Sequence, residues 1–417
     1  MKNRSLSFQF FLGILAISFL QGCKSSSPST VVLSTNRKEV AAYIETFNTD
    51  QDDYRIELRF TPDSPVSIPT EGAFPDLIIS EYLTGSDTIK KFKPLDGLFF
   101  ERKIPLRDFY PGLLKLGKRE NRQYLLPVSF DLPILLYDNR FPGKENELFL
   151  LNLLDIRAIS KSYNKIESGK FVHMGFSPLW YGDFLLLTTQ LFGTAYTEDS
   201  TQVLKYNLKN LTQALDFLKE WSREDNGGPA SELQYKEKYL TTPPYRQVTL
   251  GWAHYAYSTA STFFLLPENR RLGLNFRWIG HKGKILALEN ILYIGILDKA
   301  SNPKGAEAFI SWFFQPATQK KLLDASTTKF TYSFGLFSGF SALQEVNEKE
   351  YPRLYPHLLG HVPPAELLDF PPPVPFGWAE LKKKVLLPFL LDQLQNEKPS
   401  GILEDRLKTW LLAKPIR

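Results

Sequence analysis

Hydrophobic and polar positions from residue 31 onward switch between two periods. Val31-Val32-Leu33-Ser34 is a short β-branched run, and Val40, Ile44 and Phe47 follow at spacings of three and four. A strand and then an amphipathic helix over 39–47 are therefore expected. Tyr54 to Phe60 alternates, with Ile56, Leu58 and Phe60 on one face, and Asp76-Leu77-Ile78-Ile79-Ser80 is an unbroken apolar run opened by Pro75. Strand, helix, strand and strand in this order predict a parallel α/β sheet. Residues 124–129 and 133–138 read as two extended segments separated at Asp131, and Glu289 to Leu297 as a central strand. Helices are expected over 210–221, where Leu211, Ala214, Leu215, Leu218 and Trp221 share a face, and over 304–323 after Pro303. Pro363 to Pro375 is proline-rich, but its Leu367, Leu368 and Phe370 favour a packed irregular loop over a free linker. No period of 20–50 residues occurs, which speaks against a solenoid.

The N-terminus has a different pattern. Lys2 and Arg4 precede an apolar stretch from Phe8 to Leu20, about 13 residues, which is short of the roughly 20 that a membrane span needs. It ends in Leu20-Gln21-Gly22-Cys23, followed by Lys24-Ser25-Ser26-Ser27-Pro28-Ser29-Thr30. This resembles a bacterial lipobox with a polar tether, although Gln21 is unusual at its position. It implies a signal peptide over 1–22 and lipidation at Cys23, with 23–30 as a flexible spacer. The thiol is the group able to form the lipid thioether, and each buried lipid methylene adds about 0.8 kcal/mol, so two or three acyl chains would anchor the protein stably. A buried structural cysteine is the alternative.

Composition narrows the classes further. The chain has 417 residues, 43% hydrophobic and 23% charged, so it folds and is long enough for two or three domains. Fifty basic and 45 acidic residues are spread along its whole length, and this argues against nucleic acid as a partner. One cysteine rules out an intramolecular disulfide. The segment Gly112-Leu-Leu-Lys-Leu-Gly-Lys-Arg119 misses the phosphate-loop pattern because Arg119 stands where a hydroxyl must hold magnesium. His357 and His361 are four apart, but Pro356, Gly360 and Pro363-Pro364 argue against the helix that a metal pair would need. No nucleophile elbow, H-E-x-x-H or dinucleotide fingerprint occurs. Lys382-Lys383-Lys384 reads as a solvated helix face.

The order of segments resembles the bacterial extracellular solute-binding proteins of family 1, the maltose-binding-protein-like receptors of ABC importers. The resemblance runs over most of 31–417. It rests on Phe74-Pro-Asp-Leu-Ile78, Phe92-Lys-Pro-Leu-Asp96, Tyr124-Leu-Leu-Pro-Val-Ser-Phe-Asp131 leading to Leu136-Tyr-Asp138, and Asp298-Lys-Ala-Ser-Asn-Pro-Lys-Gly-Ala306 before a long helix. It implies an α/β, two-lobed, type II periplasmic-binding fold, each lobe a mixed or parallel sheet flanked by helices and discontinuous in sequence. The expected lobes are 31–131 with 281–325, and 132–280 with 326–417. It further implies an extracytoplasmic receptor in the periplasm or at the cell surface, a monomer without enzymatic activity or cofactor. Its partners would be a solute, most simply a sugar or oligosaccharide, an ABC permease, and the bilayer through acylated Cys23. The other reading is an envelope lipoprotein with a degenerate solute-binding fold, acting as sensor or adhesin.

Carried over by position, the resemblance puts Thr35 and Asn36 after the first strand and Glu81 and Tyr82 after a later one, at sheet edges where open α/β folds bind ligands. Phe130 and Asp131 fall on the first crossover. Trp180 and Tyr181 match an aromatic cleft loop, Trp252 and His254 a stretch after Gly251, and Trp378 a late aromatic. Sugars offer flat C–H faces with hydroxyl rims, which aromatic platforms beside carboxylates and amides complement. A turn, cap or core role is the alternative for each. The bulky Phe334, Leu336 and Phe337 replace the glycine- and asparagine-rich cleft edges of sugar-binding relatives.

Overall fold

A computed structural model describes residues 27–140, 148–198, 204–328 and 333–413. The expected signal peptide over 1–22 and the expected lipidation at Cys23 lie outside the described residues. The chain opens with β1 (Ser29–Thr35), α1 (Val40–Asp50), β2 (Tyr54–Phe60) and β3 (Leu77–Glu81), then runs through β4 (Leu126–Phe130) into β5 (Pro133–Asp138). β6 (Leu150–Asn152), α2 (Leu153–Ser162), α3 (Gly182–Leu191) and α4 (Leu208–Asn226) follow, and then β7 (Ala256–Thr259), β8 (Leu274–Gly280) and β9 (Leu292–Ile296). The last third holds α5 (Pro303–Phe313), α6 (Pro316–Thr328), β10 (Phe340–Ser341), α7 (Trp378–Leu381), α8 (Leu387–Gln395) and α9 (Leu403–Leu412).

Two sheets organise these elements. The first has six strands in the order β10-β4-β9-β3-β1-β2, with β1 parallel to β2 and β3, and β9 antiparallel to both β3 and β4. The second has four strands in the order β7-β5-β8-β6. Consecutive strands β4 and β5 belong to different sheets, so the chain crosses at Asp131-Leu132 and crosses back after Leu286. The fold is therefore mixed α/β in two lobes, each assembled from separated stretches of sequence. Two expected boundaries shift. Ile285–Leu286 pairs with Leu368–Asp369 and Leu286 packs in the second lobe, while β10 pairs with β4 in the first sheet, so residues 340–341 do not go with the second lobe.

Burial explains the strand patterns. In β5, Ile134 and Leu136 pack into the large core that runs through both lobes, and Leu135 and Tyr137 pack on the other face, against Phe176, Phe184 and Trp221. A strand buried on both faces reads as an unbroken apolar run for this reason. The helix expected over 304–323 is two helices, because Pro316 lacks the N–H that would continue the ladder and instead starts α6 at its first position. α5 lies so close on β1 that a Cβ at Gly305 would come within 2.4 Å of Val31 Cγ2. Gly295, in β9, is equally confined: an added Cβ would lie 2.5 Å from Phe92 and 2.6 Å from Leu125. Gly295→Val is expected to destabilise by about 3 kcal/mol through overpacking, measured as a lowered thermal midpoint. Phe334, Leu336 and Phe337 are not cleft edges. All three are buried in the first core, where Phe337 meets Tyr43 edge-on at 5.0 Å.

Candidate functional site: the cleft between the lobes

β1 and β3 are parallel, so their C-terminal ends emerge side by side and bring Thr35, Asn36 and Glu81 to one edge. Arg37 forms an ion pair with Glu81 there, Ser64 Oγ donates to Glu81 Oε2 at 3.1 Å, and Asn36 Nδ2 approaches the same oxygen at 3.5 Å. Thr35 is fully buried, and its hydroxyl accepts from Arg37 N at 3.2 Å, so it shapes the turn rather than facing the cleft. Three buried polar atoms at this edge, Asn36 Oδ1, Arg37 Nε and Thr61 Oγ1, have no hydrogen-bond partner among the described residues. Buried polar groups normally find one, so their clustering at a strand edge marks a place where a polar ligand could supply it.

A second charged group faces them. Glu289, on the return crossover, is buried; its carboxylate takes Lys382 Nζ at 2.6 Å and Trp378 Nε1 at 3.3 Å. Lys382 also reaches Asp183, at the start of α3, at 2.9 Å. A π-helical turn over Lys382–Leu386, between α7 and α8, holds Lys382 on the apolar side, which corrects the expected solvated face; Lys383 and Lys384 do remain exposed. Burial alone would push the Glu289 carboxyl up, but the Lys382 ammonium outweighs it and holds the group below the ordinary range. Burial would likewise lower Lys382, and Glu289 and Asp183 reverse this and push it up to about 12. Tyr82 joins the two groups. Its phenol is pushed well above its ordinary value, first by burial and then by the charges of Glu289 and Glu81. Tyr82, Thr84, Glu289, Ile291, Tyr293 and the Pro371–Val374 segment line a small cavity of about 10 Å³, room for about one water.

The other expected contacts are structural. Phe130 is core, packed between Tyr110, Phe340 and Phe370. Asp131 is buried at the first crossover, and its carboxylate accepts from Leu132 N at 2.8 Å, Ser261 N at 3.1 Å and the Ser261 hydroxyl. With those acceptor sites taken by the chain it ties the first crossover between the two sheets to the Ser261 turn. Trp180 is buried, stacked on Tyr235 at 5.7 Å, with its indole N–H on Glu232 O. Tyr181 donates to Gln247 Oε1 at 2.6 Å. Trp252 packs with Tyr239, in a cluster separate from the one that holds Tyr82 and Trp378, and His254 packs with Tyr163. Trp378 is fully buried yet touches the pocket through Glu289. Local spacing does distinguish these cases in one respect: Glu289 is a lone acid in an apolar run, and Lys382 continues the face of Trp378, Leu381 and Val385. Those signals point to Glu289 and Lys382. No spacing points to Ser64 or Asp183, which reach the cleft from unrelated segments.

No protein-family model matches the sequence, and no curated protein matches it. Solved structures do match in fold. The sugar-binding protein MalE from Xanthomonas citri superposes with a TM-score of 0.63 at 11% identity, covering 91% of this chain and 95% of that one. An ABC substrate-binding protein from Listeria monocytogenes, solved with cycloalternan, gives 0.62 at 13% identity over 92% and 96%. The galacto-N-biose-/lacto-N-biose I-binding protein of a Bifidobacterium longum ABC transporter gives 0.58 at 12% over 92% and 96%. The protein thus has the two-lobed fold of MalE-type solute-binding proteins. At these identities the likeness defines the architecture; what the chain binds is a separate question.

Proposed function

We propose that this protein is an extracytoplasmic receptor, anchored through lipidated Cys23, that binds a carbohydrate between its lobes and delivers it to an ABC importer. Binding rather than chemistry is the role, without a cofactor. The observation that carries this reading is the set of unpartnered buried atoms, Asn36 Oδ1, Arg37 Nε and Thr61 Oγ1, beside the Glu81 carboxylate and the Tyr82 ring. Acceptors and donors at short range next to an aromatic suit a ring that carries hydroxyls on its rim and C–H groups on its face. The fold neighbours that bind sugars, MalE and the galacto-N-biose-/lacto-N-biose I-binding protein, support the same reading.

The test is a thermal-shift screen of the mature chain carrying Cys23→Ser against mono- and oligosaccharides, polyols and peptides. A sugar at about 100 times its dissociation constant should stabilise by about 2.7 kcal/mol. Asn36→Ala and Arg37→Ala are each expected to weaken that sugar by about tenfold or more, since each removes a hydrogen bond made in a desolvated site. A shift with a peptide and none with any sugar would sink the carbohydrate assignment. The second reading, an envelope lipoprotein that keeps the fold without transport, is favoured by one observation, the small pocket walled by Pro371, Pro372 and Pro373. A flat screen would support it.

A further inference from the structure

The lobes touch at places where a receptor awaiting solute would be open. Tyr82 follows β3 of the first lobe, yet its side chain is only 8% exposed because it inserts among Leu179, Tyr196, Val374 and Trp378 of the second lobe. Its backbone adopts φ +59°, uncommon for a residue with a side chain, and a bulky aromatic keeps such a conformation only where its surroundings impose it. Four residues further on, the Ser86 backbone N–H and hydroxyl donate to Glu198 Oε2 at 2.7 and 3.2 Å. Glu198 lies in the two-residue strand Thr197–Glu198, between α3 and α4 of the second lobe. Arg119 steadies the loop from its own side by donating to Ser86 O at 2.6 Å. At Gly85 the loop meets the opposite lobe so closely that a Cβ would lie 3.1 Å from Glu198 Oε2 and 3.2 Å from Phe376 N.

We infer that the chain's own side chains hold the cleft shut, Tyr82 as a wedge and Ser86–Glu198 as a clasp, so that closure precedes solute. The inference rests on the receptor reading only in making this cleft the solute's entrance. Two donors on one carboxylate form a charge-assisted pair, and a buried tyrosine adds apolar contact, so each separation of the lobes must break both. A solute larger than a water does not fit the closed cavity of about 10 Å³ and can enter only when the clasp has opened. Its apparent dissociation constant is then the intrinsic one divided by the open fraction, and weakening the clasp raises affinity. A residue that touched solute would behave in the opposite way.

The test uses the mature chain with Cys23→Ser and nitroxide labels at Lys90→Cys and Lys209→Cys, exposed positions on the first and second lobes. Pulsed dipolar spectroscopy without sugar should give one narrow distance distribution. Glu198→Ala should broaden it toward longer distances, and Tyr82→Ala with Glu198→Ala should broaden it further. Glu198→Ala alone should bind that sugar at least tenfold more tightly. A broad, long distribution in the parent chain without sugar overturns the inference, and so does weaker binding by Glu198→Ala. If no sugar binds any variant while the parent distance stays narrow and Glu198→Ala widens it, the closed cleft stands and the receptor reading fails.

Discussion

Lys382→Met is expected to destabilise the protein by about 3 kcal/mol or more at neutral pH, because it leaves the Glu289 carboxylate buried with its counter-charge removed. In the parent chain Lys382 Nζ lies 2.6 Å from Glu289 and 2.9 Å from Asp183, and the Lys382 and Glu289 side chains are 23% and 5% exposed. The two shifts fix the pH window. Glu289 is held below its ordinary 4.5, so its share of stability is present above that value and is lost as pH falls through the folded-state value. Lys382 is raised from 10.5 to about 12, so its share is fully present below 10.5 and is lost as pH rises through about 12. Between those limits the parent should be flat with respect to this pair. The variant should slope. Without the ammonium, burial raises the Glu289 carboxyl, and its penalty shrinks as pH falls and the group takes up a proton. The deficit should therefore be largest near neutrality and smallest in mild acid. Glu289→Gln combined with Lys382→Met should recover most of the loss. Thermal midpoints of the three proteins between pH 5 and 9 measure this, and parallel profiles for parent and single variant would show that the pair does not carry the charge balance of the cleft.

Asp76→Ala should cost about 3 kcal/mol for a different reason. Asp76 is 1% exposed, and its carboxylate accepts from Val32 N at 2.8 Å, Ser301 Oγ at 3.0 Å and Asn302 N at 2.7 Å. One side chain thus ties β1 to the start of α5, where Asn302 Oδ1 caps Gly305 N at 3.1 Å. Alanine leaves two buried backbone donors unpaired, each worth about 1–3 kcal/mol. Asp76→Asn keeps one acceptor and should cost less than Asp76→Ala. Far-UV circular dichroism during thermal unfolding would rank the two, and equal midpoints for Ala and parent would refute the tie. Asp76 also joins the two sequence blocks, Phe74–Ile78 and Asp298–Ala306, that carry the resemblance to solute-binding proteins. The two blocks meet in one hydrogen-bonded joint on the first lobe.

That joint shows how much of the fold is legible in the chain. β1, α1 and β3 follow from period and burial alone, since a 3.6-residue stripe and a two-sided apolar run each have one way to hide from water; β2 lies where alternation puts it, but of its apolar face only Ile56 is buried, Leu58 and Phe60 staying exposed. β9 is legible for the same reason, and its central place between β3 and β4 agrees with its unbroken apolar run. The break at Pro316 was missed by the expected helix over 304–323, although a proline there removes an N–H from the ladder and is best placed in a first turn. The aromatics are the opposite case. Trp180, Phe130, Phe334 and Phe337 are as apolar as a sugar platform, and no local pattern separates a ring that faces a core from one that faces a ligand.

The sequence by itself determined the class of fold, the first-lobe edge that carries Asn36 and Glu81, and the chemistry available at Cys23, because those depend on neighbours along the chain. The tertiary structure alone decided which charges meet. Glu289 finds Lys382 93 positions away, and Ser86 finds Glu198 112 positions away. It also decided that Asp131 braces the crossover between the sheets and that Tyr82 packs among second-lobe side chains. Pair energies in a cleft depend on distance and desolvation, and both are set only when separated segments are brought together.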